Sequence, residues 1–272
     1  MSLKKPVDTR NEEFWRAYLA NPDSFQRLGR HFFSRIPSNP RCRLCAAPFA
    51  GPGAPLMRLL GKRPSDPNPN VCNSCQNFMI RHHGGAELDG SMLFADIRGS
   101  TSLAEQLSPG EFNALLNRFY TAASDAVVAN DGMIEKFVGD ELVATFAPVL
   151  AGERHTARAV DAALALLRAT GHADPGGPWV PLGAGVNTGR VWFGAVGEGS
   201  HVELTVLGDP VNVTARLAAQ AAAGEILVSA DAAAAAGLDP GLPRTTLELK
   251  GKHESTEVVS LRVDAPPPLG AG

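Results

Sequence analysis

Long apolar runs are missing from this 272-residue chain. Hydrophobic residues make up 44% of it, an ordinary share for a globular protein, yet no stretch approaches the ~20 apolar residues that a membrane-spanning helix needs. The opening residues, MSLKKPVDTRNEEFW, lack the apolar core of a secretory leader, so the expectation is a cytoplasmic protein without a transmembrane segment. Cysteine is sparse too, with four residues, all between positions 42 and 75. In a reducing cytoplasm these are expected to be reduced or metal-bound. A phosphate-binding P-loop is also absent: the glycines of Leu182–Gly189 are not followed by a GKS/T and read as strand, turn, strand with Val191–Val196. Acidic residues are scarce in residues 1–85, with 5 against 13 Lys and Arg, a net +8. The remainder holds 12 basic and 23 acidic residues, a net −11, and the whole chain carries −3. Such asymmetry predicts two modules with different partners. The basic one could touch nucleic acid, an anionic membrane surface or the acidic remainder, or be merely a solvated basic surface.

The four cysteines form two CxxC pairs, Cys42/Cys45 and Cys72/Cys75, with 26 residues between them. Each pair places two thiolates on a tight turn, and together they make the tetrahedral sulfur set that zinc prefers. A structural Zn2+ site of zinc-ribbon type is the first reading, an iron–sulfur cluster the second and a redox disulfide the third. His82 and His83 read as linker residues beside a ligand set that is already complete. Upstream, Phe14, Trp15, Tyr18 and Leu19 line one helix face before Asn21-Pro22, and Phe25, Leu28 and Phe32 recur at helical spacing from Ser24 onward. Both stripes are expected in a small core or against a partner helix, with a membrane-surface role as the alternative.

His83-Gly84-Gly85 marks a boundary, so residues 1–85 are expected to form the helical four-cysteine module, 86–264 a second domain and 265–272 a disordered tail. Past the boundary strands and helices alternate with hairpins among them, the pattern of an α/β sandwich with a mixed sheet. Ser102-x-x-Glu105 and Ser108-Pro109-Gly110-Glu111 read as helix caps. The second opens a long helix carrying Phe112, Leu115, Leu116, Phe119, Ala122, Ala126 and Val127, which ends near Asn130-Asp131-Gly132. Arg154–Thr170 reads as a scaffold helix. The strand pair Thr246–Lys250 and Val258–Val263 closes the domain.

Two stretches carry chemistry. In MIEKFVGDELVATF, Met133–Phe146, Gly139-Asp140 joins two apolar runs as a hairpin tip, with glycine supplying the positive φ. Aspartate there is ordinary turn chemistry until it is set beside SMLFADIRGST, Ser91–Thr101, where a strand ends in Asp96 and a helix begins. A carboxylate next to a helix N-terminus can hold a metal while backbone amides hold phosphate oxygens. Two carboxylates on adjacent strand ends can clamp a pair of divalent ions.

FADIRGST, EKFVGDELVATF and VLGDPVNVTARL at Val206–Leu217 together resemble the catalytic domain of class III nucleotidyl cyclases, over about Leu88 to Val263. The resemblance implies an α+β fold of ferredoxin type, a mixed and largely antiparallel sheet flanked by helices. It implies an adenylate cyclase that makes 3′,5′-cyclic AMP and pyrophosphate from ATP, with guanylate cyclase or a catalytically silent nucleotide-binding module as alternatives. In the family pattern Asp96, Ile97 and Asp140 match the ligands of two Mg2+ or Mn2+ ions. The backbone of Ile97, Arg98, Gly99, Ser100 and Thr101 matches the phosphate site. Lys136 and Thr205 match the base-reading pair, Asn212 the ribose-orienting residue and Arg216 the residue that stabilises charge on the α-phosphate. Thr205 departs from the family's usual aspartate, as in a bacterial subclass some of whose members respond to bicarbonate. An ammonium and a hydroxyl suit the N1 acceptor and N6 donor of adenine, whereas guanine would want a carboxylate at Lys136. Asp209 reads as the N-cap ahead of Pro210. Because the full set lies on one chain and family sites are shared between protomers, a head-to-tail homodimer follows.

Overall fold

A computed structural model of the chain describes residues 9–20, 25–38, 40–66, 68–197, 202–248 and 255–263. Asn21-Pro22, Lys250 and the expected disordered tail lie outside the described residues. The elements begin with α1 (Thr9–Ala20), α2 (Phe25–Ser34), α3 (Ala54–Leu59), α4 (Asn73–Arg81), β1 (Gly84–Ile97), α5 (Ser100–Gln106) and α6 (Pro109–Ala129). They continue with β2 (Met133–Val138), β3 (Glu141–Phe146), α7 (Pro148–Ala151), α8 (His155–Ala169), β4 (Leu182–Val196) and β5 (Glu203–Leu207). The last are α9 (Asp209–Gln220), β6 (Glu225–Ser229), α10 (Ala230–Ala236), β7 (Arg244–Leu247) and β8 (Thr256–Arg262). Packing divides the chain into two bodies, one of Met1–Asp89, Ala147–Gly152 and Arg190–Gly208, the other of Gly90–Phe146, Glu153–Gly189 and Asp209–Gly272. The long strands β1 and β4 each contribute one half to each body.

In the first body Trp15 and Leu19 of α1 are buried. The Trp15 indole donates to the His82 carbonyl at 2.9 Å, and Phe14 stacks on the His82 ring at 4.1 Å. β5 pairs antiparallel with the second half of β4. A Cβ on Gly85 would lie 2.3 Å from the Phe193 carbonyl and one on Gly194 2.4 Å from that of Gly84, so β1 and β4 approach in a way only glycine permits. For the second helix the core reading is corrected, because Leu28 and Phe32 face outward and Arg30 is buried. Arg30 donates to the carbonyls of Arg43 (3.1 Å) and Leu44 (2.6 Å) in the first CxxC turn. A guanidinium that satisfies two backbone acceptors holds the polar side of α2 inward.

The second body contains a sheet of order β2-β3-β1-β4-β6-β8-β7, to which β1 and β4 give their inner halves. Pairing is antiparallel at β1/β3, β2/β3, β6/β8 and β7/β8, and parallel at β4/β6. This is the mixed, mostly antiparallel sheet with flanking helices that the sequence predicts. The expected cap of α6 forms: the Ser108 hydroxyl accepts from the Glu111 amide and the Glu111 carboxylate accepts from the Ser108 amide. Two glycine readings change. Residues 182–196 form one strand rather than a pair, because a Cβ on Gly183 would press the Ala221 carbonyl at 2.6 Å and one on Gly185 the Ala218 amide at 2.5 Å. Those glycines admit a crossing helix, not a turn. The other capping box is absent: α5 begins at Ser100 after Gly99, whose φ of 71° makes the turn, and Ser102 lies inside the helix.

Candidate active site

All of the geometry in this paragraph lies in the second body. The Gly139-Asp140 turn joins β2 to β3 as expected, with Gly139 at φ 62°. β3 then pairs with β1 so that Glu141 stands opposite Asp96. The tip is fastened from α6, where the Tyr120 hydroxyl donates to the Gly139 carbonyl at 2.5 Å and the Tyr120 ring stacks on Phe137 at 4.0 Å. Three carboxylates therefore meet at neighbouring strand ends. Burial pushes the Asp96 carboxyl from 3.8 up to about 6, helped by a hydrogen bond with Asp140 and opposed by Arg98. Burial also raises Glu141, again with Asp140 adding and Arg98 opposing. Arg98 bonds the Asp96 carboxylate at 2.5 Å and reaches the Ala219 carbonyl of α9 at 3.0 Å. Its own amide donates to the Pro181 carbonyl at 2.8 Å. At the start of α5 the first amides have no carbonyl one turn earlier to bond.

Along α9, Val213, Thr214, Leu217 and Ala218 are buried, which turns Asn212 outward and leaves Arg216 half-buried on the same side. The helix begins at Asp209 itself, one residue earlier than its reading as N-cap. Its start is held by the buried Asn187, whose amide donates to the Pro210 carbonyl at 3.1 Å and accepts from Ser229 at 2.6 Å. Beside it lies a cavity of about 450 Å³ lined by Asn187, Thr188, Asp209, Ser229, Asp231 and Glu257 among others. Lys136 sits on β2, half-exposed, with its ammonium 3.4 Å from Glu135. Thr205 lies in the first body, on β5 opposite Gly194.

Residues 88–259 match the family described as the adenylate and guanylate cyclase catalytic domain. The chain belongs to the class III nucleotidyl cyclases. An adenylate cyclase from Anabaena cylindrica is 33% identical over 138 residues, 47% of this chain and 26% of that protein. The structure of the guanylyl cyclase Cya2 covers 69% of this cyclase chain and 98% of its own, at TM-score 0.61 and 26% identity. That of the adenylyl cyclase CyaB from P. aeruginosa covers 68% and 99%, at TM-score 0.57 and 26% identity. These two relatives share one fold and are named for different nucleotides, so the fold does not choose the base. The chain spans roughly a quarter to a third of the length of the curated relatives it matches. No described helix is long and apolar enough to cross a membrane.

The cyclase chain also brings its four cysteines together. All are buried and free of disulfides, and their sulfurs lie within 4.8 Å of one another. Cys45 Sγ and Cys72 Sγ are 3.7 Å apart, close to the ~3.8 Å edge of a tetrahedron with ~2.3 Å metal–sulfur bonds. Burial and hydrogen bonds among the sulfurs set the four thiols apart, with Cys45 and Cys72 held below the ordinary thiol range and Cys42 and Cys75 pushed above it. The sulfur set thus fits a bound metal ion. His82, in turn, belongs to the aromatic cluster. Sequence reasoning missed Glu141, the side chain of Arg98 and Tyr120. The Glu directly after Asp140 was the available signal for the first; the other two depend on contacts between distant segments.

Proposed function

We propose that residues 86–264 are the catalytic domain of an adenylate cyclase, converting ATP to 3′,5′-cyclic AMP and pyrophosphate. The observation that carries the cyclase chemistry is the crowding of Asp96, Asp140 and Glu141, with Asp96 raised to about 6; the choice of ATP rests on Lys136 and Thr205 as the base-reading pair. Like charges held together by the fold are relieved by a cation, and Asp96, Ile97 and Asp140 would hold two Mg2+ or Mn2+ ions. When bound, those ions supply acidification of the ribose 3′-hydroxyl and neutralisation of the polyphosphate. The chain's own groups do the rest. Amides from Gly99 to Thr101 would hold phosphate oxygens at the start of α5. Asn212 would orient the ribose. Arg216 would meet the charge on the α-phosphate as the 3′-oxygen bonds to phosphorus and pyrophosphate leaves. The Lys136 ammonium would donate to adenine N1, and the Thr205 hydroxyl would accept from the N6 amine. Base and transition-state residues would come from one protomer of a head-to-tail homodimer and metal ligands from the other. Residues 1–85 would be a basic module stapled by Zn2+, with an iron–sulfur cluster as the other metal that sulfur ligands suit.

The test is incubation of the purified chain with ATP or GTP and Mn2+, with chromatography of the products. Cyclic AMP from ATP, abolished in Asp140→Ala, is the expected outcome. Turnover retained in that variant would remove the metal role. A preference for GTP would make the domain a guanylate cyclase, and tight nucleotide binding without product would make it a silent sensor.

A further inference from the structure

Two short helices of the first body carry apolar side chains on the outside. On α2, Leu28 is 70% and Phe32 57% exposed, one turn apart. On and just after α3, Leu56 is 46%, Leu59 84% and Leu60 59% exposed. The last three follow i, i+3, i+4 spacing and form one stripe, while Ala54 and Met57 fill the buried side of the same helix. Each helix therefore has a satisfied inner face and a second, apolar outer one. The two lie close together: a Cβ on Gly53, ahead of α3, would meet Ile36, just past α2, at 2.7 Å, and the Lys62 ammonium is 6.0 Å from the Phe33 ring. Five of the nine large hydrophobics exposed among the described residues fall here. Surface leucines scattered singly need no explanation; a clustered set does.

Charge decides what covers the face. Residues 25–65 contain no Asp or Glu and eight Lys and Arg; Arg30 is buried and Arg41 bonds backbone carbonyls, while Arg35, Arg58 and Arg63 are exposed beside the apolar stripes. We propose that this face docks on an anionic phospholipid bilayer, with Leu28, Phe32, Leu56, Leu59 and Leu60 at the acyl boundary and the cations at headgroup level. A second copy of the same face would set like charges against each other. Nucleic acid offers phosphates but no apolar medium. A lipid surface supplies both anions and hydrocarbon at the required depth. The aromatic residue of α1 best suited to such a surface, Trp15, is buried and takes no part.

The test is co-sedimentation of the full chain with vesicles of phosphatidylcholine alone or of an equal mixture with phosphatidylserine. Wild type is expected to sediment with the mixed vesicles and far less with phosphatidylcholine, and added salt should weaken the binding. Phe32→Glu and Leu59→Glu should each lower partitioning by about tenfold or more, since each sets a charge at the acyl boundary. Unchanged tryptophan emission and an unchanged melting temperature would show that the variants remain folded. Wild type that stays in the supernatant, equal binding to both vesicles, or glutamate variants that partition like wild type would overturn the proposal. So would a vesicle-free dimer that Leu59→Glu dissociates, which would assign the face to a second copy.

Discussion

At Asp96, burial and the Asp140 carboxylate raise the pKa from 3.8 to about 6 against the pull of Arg98. Between those two values the folded metal-free protein binds more protons at this site than the unfolded chain does. Stability is therefore predicted to fall as pH rises through that window and to level off above 6. Asp96→Asn should flatten the dependence, and added Mg2+ should restore stability on the alkaline side; urea unfolding on either side of pH 6 checks both. Metal-dependent turnover should correspondingly rise with pH through about 6, as ion and proton compete for one carboxylate. A second prediction concerns the base. Lys136→Glu exchanges the donor for an acceptor and should shift the ATP-to-GTP preference toward GTP by about tenfold or more, at ~1.4 kcal/mol per decade; competition between the two nucleotides measures the ratio. Asp96 and Asp140 were legible in the sequence because each sits in a local strand-end or turn pattern. Glu141 and Arg98 were not, since their relation to Asp96 depends on the register of β3 against β1 and on the fold of the strand end.

The β2–β3 hairpin is held to α6 through Tyr120, at a tip that carries Asp140. Tyr120→Phe keeps the ring stacked on Phe137 and removes one hydrogen bond, worth about 1 kcal/mol. The expected result is a several-fold rise in the Mn2+ concentration needed for half-maximal turnover with little change in melting temperature. A metal titration at saturating nucleotide reads it. The four-cysteine element makes a different prediction. Its turns bring four buried thiols together, and a metal ion held by them would tie the two CxxC segments, so chelation or Cys75→Ser should alter the aromatic packing around Trp15 and lower the thermal stability of the first body. Near-ultraviolet circular dichroism with and without chelator tests this. Helix periodicity located α1, α6 and α8 but misjudged the direction of α2. A stripe of Phe and Leu reads as core until a buried arginine turns out to be needed by the carbonyls of the cysteine turn.

For the whole molecule, a shared site predicts complementation. Asp96→Ala and Arg216→Ala should each be inactive alone, and an equal mixture should recover about one quarter of wild-type turnover, because half the dimers are mixed and each holds one intact site. No recovery in the mixture, despite exchange of subunits, would place every catalytic group within one protomer. Sequence alone determined the family, the sheet type, the hairpin that carries Asp140 and the clustering of the cysteines. Each of these is written in short motifs whose spacing follows from turn geometry or ligand chemistry. Tertiary structure decided that residues 182–196 run as one strand, because their glycines admit α9 and β1 rather than make a turn. It also decided that Glu141 joins the carboxylate pair and that the apolar sides of α2 and α3 face out. These outcomes depend on which distant segment packs against which side chain, and local periodicity carries no record of that.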